Sequence, residues 1–409
     1  MIGDNDEPAI GSRRRILIVH RYYWPDTAPC AVLLSRIAVH LKKDGHNVEV
    51  LSSQPSYRAS GINERRKKRE IVDGVLVDRL KLPTEVGRPS IRIFNAFRLG
   101  MSLFYRSITR RYDIIMVSTV PPVLGGFFSA LAAKITGARF IYQAMDIHPE
   151  AGRVSGEFAN PVVFKILQKL DSWSCGQARP VVVLSNDMKK TLKDRDGGES
   201  FYIEVINNFA LPDSEVAQSH EPYFLEKKSR LTVIYAGNLG KFQGLDTIVA
   251  AMEILRDRND IELVIMGDGV EKPVLEERVR ASGANVSFLG SHPISVAKSA
   301  IRQSDIGFVS LVEGVYQYSY PSKTMSYLEQ GCPIIAAVEE GSELAKGIRE
   351  SGCGISVPPG DALSLASLLV KLSDDSDWKL GMRENAERMI ENDFSEVKIL
   401  QRWSNLVAE

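Results

Sequence analysis

The residues with the clearest chemistry lie near the middle of the chain, in a glycine-rich turn after the apolar run 231–236. The turn consists of Gly237, Asn238, Leu239, Gly240, Lys241, Phe242, Gln243 and Gly244. Glycines allow a tight turn with exposed N–H groups, the helical pattern that follows adds a positive helix end, and Lys241 supplies a cation. Together these groups favour binding of a diphosphate. A plain glycine turn is the alternative, because Phe242 stands where a P-loop has Ser or Thr.

Two other loops of the same half carry polar residues directly after apolar runs. Asp268 lies in a second glycine turn, after the run 263–266. Lys323 follows Pro321 and precedes the helical pattern 324–330. A lysine at a helix start can hold a second anionic or hydroxyl-rich part of a ligand. The alternative is a helix started by proline, with a solvated lysine.

The first half contains a loop that can transfer protons. Asp146, His148 and Glu150 follow the apolar run 139–145. Carboxyl and imidazole groups take and give protons, and an unperturbed histidine titrates near neutral pH. Asp146 and His148 are therefore candidate catalytic residues; the alternative is a solvated loop with structural hydrogen bonds. The six histidines are scattered, and no metal site is predicted.

Short β-rich apolar runs alternate with helical patterns along nearly the whole chain. In the first half the predicted strands are 15–20, 48–52, 113–118, 139–145, 181–184 and 202–206, with helices at 31–41, 123–135 and 162–174. After a polar stretch with two prolines, strands are predicted at 231–236, 261–266, 286–289, 306–310, 333–336 and 354–357. Alternation of this kind predicts α/β architecture, with two doubly wound parallel sheets. Ligands bind outside the carboxyl ends of such strands, so the two domains are expected to face a cleft.

Composition excludes several classes of protein. The chain has 409 residues, of which 44% are hydrophobic and 25% charged, so it is neither disordered nor fibrous and suits two domains. Its four cysteines lie far apart, which indicates no disulfide framework and fits a reducing cytoplasm. The run 16–19 is too short for a signal peptide, and 120–133 is too short to span a bilayer. The loop after residue 20 lacks G-x-G-x-x-G, which disfavours a classical NAD or FAD enzyme.

The formal net charge of zero conceals an uneven distribution. Residues 1–200 hold 31 Lys and Arg against 20 Asp and Glu, whereas residues 201–409 hold 20 against 31. The basic residues concentrate in 65–69 and in 92–111, where apolar and aromatic residues separate them. Such a segment can lie on an anionic membrane surface; the alternative is an amphipathic helix that packs its aromatic residues on a sheet. No nucleic-acid motif accompanies the charge, so nucleic acid is not a predicted partner.

The order of these loops resembles the family-4 retaining glycosyltransferases, of the group 1 type, in the GT-B superfamily. The most specific matching parts are Tyr235 to Asp246, Gly267-Asp268-Gly269, Phe288-Leu289-Gly290, Pro321-Ser322-Lys323, Gly331-Cys332-Pro333 and Val357 to Asp361. The element from Asp146 to Glu150 is most similar to the branch that acts in capsule, exopolysaccharide and O-antigen assembly. The resemblance implies a Rossmann-like acceptor-binding domain over 1–212, a Rossmann-like nucleotide-sugar-binding domain over 213–390 and a C-terminal helix over 391–409. The C-terminal helices are expected to pack back toward the N-terminal domain.

The resemblance also implies an activity. Such enzymes move a sugar from a nucleotide-diphosphate sugar to an acceptor hydroxyl, without a metal or a separate cofactor, and retain the anomeric configuration. The expected acceptor is a polyprenyl-diphosphate-linked saccharide in surface polysaccharide biosynthesis. The protein is then expected to be cytoplasmic and peripherally bound to the inner face of the cytoplasmic membrane through its basic N-terminal half. Two alternatives stay open: a nucleotide-sugar epimerase of GT-B fold, and a non-catalytic subunit of a polysaccharide assembly complex.

The resemblance finally assigns roles to residues. Asp146 occupies the loop position of a catalytic histidine, and Lys241 and His148 complete the candidate catalytic set. The candidate donor contacts are Gly237, Asn238, Gly240, Lys241, Gln243, Asp268, Lys323, Ser326 and Glu329. The family also has two glutamates eight positions apart, which here fall at Tyr318 and Ser326. Glu329 lies one helical turn after Ser326 and is the candidate substitute.

Overall fold

The computed structural model describes residues 13–26, 28–56, 65–83, 85, 88–154, 156–211 and 229–409. The chain forms two compact units. Unit 1 comprises Met1–Asn207 together with Glu396–Glu409, and unit 2 comprises Asn208–Ser395. The polar stretch with two prolines that separates the two predicted sets of strands covers residues 211–222. Of these, residues 212–222 lie outside the described residues.

Unit 1 contains a Rossmann-like sheet of eight strands. In chain order its elements are β1 (Arg15–Val19), α1 (Pro29–Lys43), β2 (Asn47–Ser53), β3 (Arg69–Val72), β4 (Val75–Leu80), α2 (Pro89–Arg110), β5 (Ile114–Ser118), α3 (Leu124–Thr136), β6 (Arg139–Ala144), α4 (Glu150–Val154), α5 (Pro161–Gln177), β7 (Val181–Val183), α6 (Asn186–Lys193) and β8 (Ile203–Val205). The strand order is β3-β4-β2-β1-β5-β6-β7-β8, and only the β3–β4 pair is antiparallel. The order reverses between β1 and β5, which is where such sheets bind ligands.

The hairpin of β3 and β4 was not predicted from the sequence. Its strands are joined by Asp73 and Gly74, which both have positive φ (48° and 80°), as a two-residue type I′ turn requires. The Asp-Gly pair was therefore a usable signal. Arg69 belongs to the basic cluster 65–69, and its charge disguised the start of β3.

Unit 2 contains a second Rossmann-like sheet, with six parallel strands. Its elements are β9 (Leu231–Ala236), α7 (Asp246–Ile254), β10 (Ile261–Met266), α8 (Lys272–Ser282), β11 (Val286–Gly290), α9 (Ile294–Gln303), β12 (Ile306–Ser310), α10 (Lys323–Glu329), β13 (Ile334–Ala337), α11 (Glu343–Ser351), β14 (Gly354–Val357), α12 (Ala362–Asp374) and α13 (Trp378–Asp393). The strand order is β11-β10-β9-β12-β13-β14. Strands β9, β10 and β12 are almost entirely apolar and buried, as expected for parallel strands covered on both faces. The order reverses between β9 and β12. The prediction of two doubly wound α/β sheets is confirmed.

The last helix, α14 (Glu396–Ala408), belongs to unit 1 although it follows unit 2 in the chain. The Glu396 carboxylate pairs with Arg36 Nε on α1 at 2.7 Å. The Ser404 hydroxyl lies 2.9 Å from His40 Nε2, and Trp403 is buried. The expected return of the C-terminus to the N-terminal domain is thus made by α14, whereas α13 packs on α10 within unit 2.

Across the described ranges, no helix is both long and apolar enough to cross a membrane.

Candidate functional site

Two glycine turns of unit 2 pack backbone against backbone at the carboxyl ends of β9 and β10. The Gly237 N–H donates to the carbonyl oxygen of Met266 at 2.9 Å, and the Leu239 N–H donates to that of Asp268 at 2.9 Å. A Cβ atom at Gly267 would stand 1.8 Å from the Gly237 carbonyl oxygen, so no larger residue fits there. The two turns therefore hold each other in place at the carboxyl ends of their strands. The turn after β9 lies beside the point between β9 and β12 where the strand order reverses.

Gln243 gives the first turn its shape. Its side-chain Oε1 accepts a hydrogen bond from the Gly240 N–H at 3.0 Å, and its carbonyl oxygen accepts one from the Ser310 hydroxyl on β12. The carbonyl oxygen of Phe242 accepts from the Val312 N–H at 2.9 Å. The predicted donor contact Gln243 thus uses its amide oxygen inside the turn.

Lys323, the first residue of α10, lies against the same turn. A Cβ atom at Gly237 would come within 2.4 Å of Lys323 Cε, and Lys323 Nζ lies 4.9 Å from the centre of the Tyr235 ring. Burial lowers the pKa of Lys323 to about 8. Lys323 as a whole residue is partly exposed. Among the residues with described positions, no carboxylate pairs with this ammonium group.

The other predicted donor contacts of unit 2 differ in their surroundings. Lys241 is exposed at the start of a single 3₁₀ turn, and Asn238 is exposed beside it. The Asp268 carboxylate accepts a hydrogen bond from the Gly269 N–H at 2.8 Å. Ser326 is partly exposed and lies one helical turn after Lys323 on α10.

Glu329 is held by a residue of another helix. Its Oε2 lies 2.7 Å from Nζ of Lys298 on α9 and accepts a hydrogen bond from Gln330 Nε2 at 3.1 Å. The Lys298 side chain is almost fully buried, so this pair joins α9 to α10. A buried ammonium needs such a partner because its transfer out of water is costly.

In unit 1, the Asp146–Glu150 loop is fixed by Arg195, a residue that sequence reasoning missed. Arg195 binds both carboxylate oxygens of Glu150 (2.9 and 2.5 Å) and donates to the carbonyl oxygen of His148 at 2.8 Å. Its remaining nitrogen pairs with the Asp171 carboxylate at 2.7 Å. No sequence pattern relates these positions, because they lie up to 47 residues apart.

Two of the candidate catalytic residues, Asp146 and His148, lie in this fixed loop. His148 Nδ1 is buried and has no hydrogen-bond partner among the described residues. Asp146 is partly exposed and lies near Cys30 of α1. Burial, together with the smaller effect of the Asp146 and Asp26 charges, raises the pKa of the Cys30 thiol to about 12. The carboxylates of Asp146 and Asp26 therefore lie close to the start of α1.

A row of buried polar side chains crosses unit 1 where its strand order reverses. Ser118 on β5 pairs in register with Gln143 on β6, and His20 follows β1 at the next position. His20 Nε2, Ser118 Oγ and Gln143 Oε1 are buried, and within the described part of the chain none has a hydrogen-bond partner. Burial lowers the pKa of His20 to about 4, so the ring is neutral at physiological pH. The sequence pattern that indicates this row is a polar residue near the end of each of the predicted strands 15–20, 113–118 and 139–145.

Wherever the structure describes side chains, no group of three or more His, Cys, Asp or Glu residues is arranged to hold a metal ion.

Comparisons with known proteins identify both halves of the chain. Residues 13–208 match the family model described as a glycosyl transferase 4-like domain, and residues 230–375 match the model described as glycosyl transferases group 1. A protein of Pseudomonas aeruginosa named as a probable glycosyltransferase, WbjE, is 25% identical over 79% of this chain and 80% of its own. WcaI of Escherichia coli K12, named as a colanic acid biosynthesis glycosyl transferase, is 23% identical over 84% of this chain and 88% of its own.

The fold is shared with solved structures. That of Anabaena HepE in complex with UDP and glucose superposes with a TM-score of 0.70 and 16% identity, over 97% of this chain and 100% of that chain. This likeness concerns the fold alone, and it agrees with the predicted GT-B architecture. The chain therefore contains a glycosyl transferase 4-like domain followed by a group 1 glycosyl transferase domain, which together account for most of its length.

Proposed function

We propose that this glycosyltransferase moves a sugar from a nucleotide-diphosphate sugar to an acceptor hydroxyl in the assembly of a surface polysaccharide. The observation that carries this proposal is the pair of packed glycine turns after β9 and β10, the first of which borders the point between β9 and β12 where the strand order of unit 2 reverses. A glycine turn fixed in this way lets a diphosphate approach the main chain closely, because no side chain stands at its glycine positions. Two names support the proposal: HepE was solved with UDP and glucose, and WcaI is named for colanic acid biosynthesis.

The reaction proposed is retaining and independent of metal. As the bond to the sugar breaks, negative charge develops on the departing diphosphate, and fixed donors that stabilise it usually provide the largest catalytic contribution. Gly237, Asn238, Gly240 and Lys241 are the proposed groups at the diphosphate. Asp146 and His148 of unit 1 are the proposed groups for the sugar or the acceptor hydroxyl.

We further propose a lipid-linked acceptor, a polyprenyl-diphosphate-linked saccharide, reached from the inner face of the cytoplasmic membrane. Helix α2 supports this. Its exposed side chains are mainly apolar: Ile93, Phe94, Phe97, Met101, Tyr105 and Ile108. Arg106 and Arg110 instead point to the protein, where they pair with Glu49 and Asp78 (Arg106 to Asp78, 2.5 Å; Arg110 to Glu49, 3.0 Å). An apolar outer face of this kind suits the boundary of a lipid bilayer.

The test of the activity is a transfer assay with a panel of nucleotide-diphosphate sugars and lipid-linked saccharide acceptors. The glycosylated acceptor is identified by mass spectrometry, and its anomeric configuration by NMR. A sugar transferred with its original configuration is the expected result. An epimerised donor formed without acceptor would identify an epimerase, and absence of calorimetric binding of every nucleoside diphosphate would identify a non-catalytic subunit.

A further inference from the structure

Resting on the proposed function, we propose that Lys323 supplies the positive charge that binds the donor diphosphate, and that donor affinity consequently declines at alkaline pH. The sequence pattern alone favours Lys241 for this role, because Lys241 lies inside the glycine turn. The surroundings of the two lysines reverse that preference.

The first argument is the contact between Lys323 and the turn. Lys323 Cε occupies the space where a side chain of residue 237 would begin, since a Cβ atom at Gly237 would stand 2.4 Å away. Gly237 also has φ of 150°, a conformation that other residues rarely adopt. The missing side chain thus lets the lysine lie directly on the turn that is proposed to bind the diphosphate.

The second argument is the missing counter-ion. The Lys323 ammonium faces the ring of Tyr235, and burial is the cause of its lowered pKa. A buried cation with no protein partner among the described residues binds an anionic ligand strongly. The free-energy cost of removing water from the cation is already included in folding and does not oppose binding again.

The charged groups of the neighbouring elements are engaged elsewhere. On α9, Lys298 pairs with Glu329, and Arg302 donates to the side chain of Gln330. On α13, Glu387 lies against Gly331, past the other end of α10. Tyr235 and Tyr327 stay uncharged, because burial raises the pKa of both phenols. Lys323 is therefore the titrating group that a diphosphate at this turn would meet.

Lys241 has the opposite environment. Its side chain is exposed at the surface of the turn. An exposed ammonium keeps its water, and its attraction to an anion is weakened by the high dielectric constant and by salt. Lys241 can approach the diphosphate, but the dominant charge contact is assigned to Lys323.

The experiment measures calorimetric binding of UDP, GDP, ADP and dTDP to the full chain at pH 7.0 and 8.5. A lysine with a pKa near 8 loses most of its charge over this range, so the Kd of the wild type should rise about fourfold. Lys323→Met keeps the aliphatic stem on Gly237 but removes the charge, and should weaken binding about tenfold or more at pH 7.0. Lys346→Met, at an exposed lysine of α11, is the matched control and should bind as the wild type does.

The outcomes separate this inference from the proposed function. If the wild type binds a nucleoside diphosphate with the same Kd at both pH values, Lys323 is not the diphosphate cation. The same conclusion follows if Lys323→Met binds as tightly as the wild type. If the wild type binds none of the four nucleotides, the proposed function itself fails. The pH series needs no variant, so it decides the matter even where Lys323→Met does not fold.

Discussion

The hydroxyl group of Tyr327 joins α10 to the end of β9: it accepts a hydrogen bond from the Ala236 N–H at 2.9 Å and donates one to the Phe308 carbonyl oxygen at 3.3 Å. The residue is fully buried. Its ring also lies on Gly307, where a Cβ atom would stand 2.6 Å from the ring. Because α10 carries Lys323, this tyrosine sets the position of the proposed diphosphate cation relative to the glycine turn.

Replacement of Tyr327 by Phe should therefore damage both stability and binding. The change leaves the partly buried Ala236 N–H without its partner, which costs about 1–3 kcal/mol. We expect a lower thermal midpoint of unit 2 in calorimetry and a severalfold higher Kd for nucleoside diphosphates. Tyr202→Phe, at an exposed tyrosine of unit 1, is the control. An unchanged midpoint for Tyr327→Phe would show that water replaces the hydroxyl group without loss.

His20 should make unit 1 less stable in acid. Its folded pKa of about 4 lies below the ordinary value of 6.5, so between these values the unfolded chain binds a proton that the folded chain excludes. Stability is then fully present above pH 6.5 and is lost as the pH falls toward 4. From pH 7 to pH 5 the loss from this one residue should be about 2 kcal/mol.

The measurement is hydrogen exchange of unit 1 at pH 7 and pH 5, in the wild type and in His20→Gln. The variant lacks the titrating ring, so its stability should change less between the two pH values. His292→Gln, at an exposed histidine of unit 2, provides the comparison. Equal pH dependence in the wild type and in His20→Gln would assign the acid sensitivity to other groups.

Glu329 has two possible roles that a double-mutant cycle separates. As the partner of Lys298 it should be structural, and Glu329→Ala should cost about 1–2 kcal/mol, since the pair is only partly exposed. Lys298→Met with Glu329→Ala should recover part of this loss, because neither charge is then left alone. As a ribose contact, Glu329 should instead affect the Kd for nucleoside diphosphates and leave the thermal midpoint unchanged.

The sequence alone was sufficient to predict the strands whose residues are buried on both faces. Strands β9, β10 and β12 begin and end at the predicted residues, because each is a short apolar run bounded by turns or loops. Strand β14 also begins and ends as predicted, although it is partly exposed. The glycine turns after β9 and β10 could be predicted for the same reason. Strand β3 does not form such a run, because its residues are charged and largely exposed, so only the Asp73-Gly74 turn could have revealed the hairpin.

Contacts between residues that lie far apart in the chain could not be predicted from the sequence. Helical periodicity shows that α2 is amphipathic, but the partners of Arg106 are Glu49 and Asp78, on β2 and β4. Only the folded sheet brings those carboxylates to α2. Among the described residues no counter-ion pairs with Lys323, and this too depends on how the helices pack, which a pattern of residue types does not show.

The outward apolar face of α2 leads to the last prediction, on membrane binding. Phe94 and Tyr105 are 54% and 72% exposed, so Phe94→Ser with Tyr105→Ser should leave the fold intact. If these rings enter the lipid boundary, the double variant should bind phosphatidylglycerol-containing vesicles at least tenfold more weakly in sedimentation assays, because each buried aromatic side chain contributes about 1.5–3 kcal/mol. Leu380→Ser, at an exposed leucine of unit 2, is the control.

The basic residues of unit 1 should add a salt-dependent part to this binding, since exposed charges are screened within about 10 Å at 0.1 M salt. Arg106→Met serves as the contrast. Its side chain pairs with Asp78 rather than facing solvent, so this change should lower the stability of unit 1 and leave the salt dependence of vesicle binding as it was. Equal binding to neutral and anionic vesicles would remove the electrostatic part of the proposal. Unaltered binding of the Phe94 and Tyr105 double variant would remove α2 from the membrane surface.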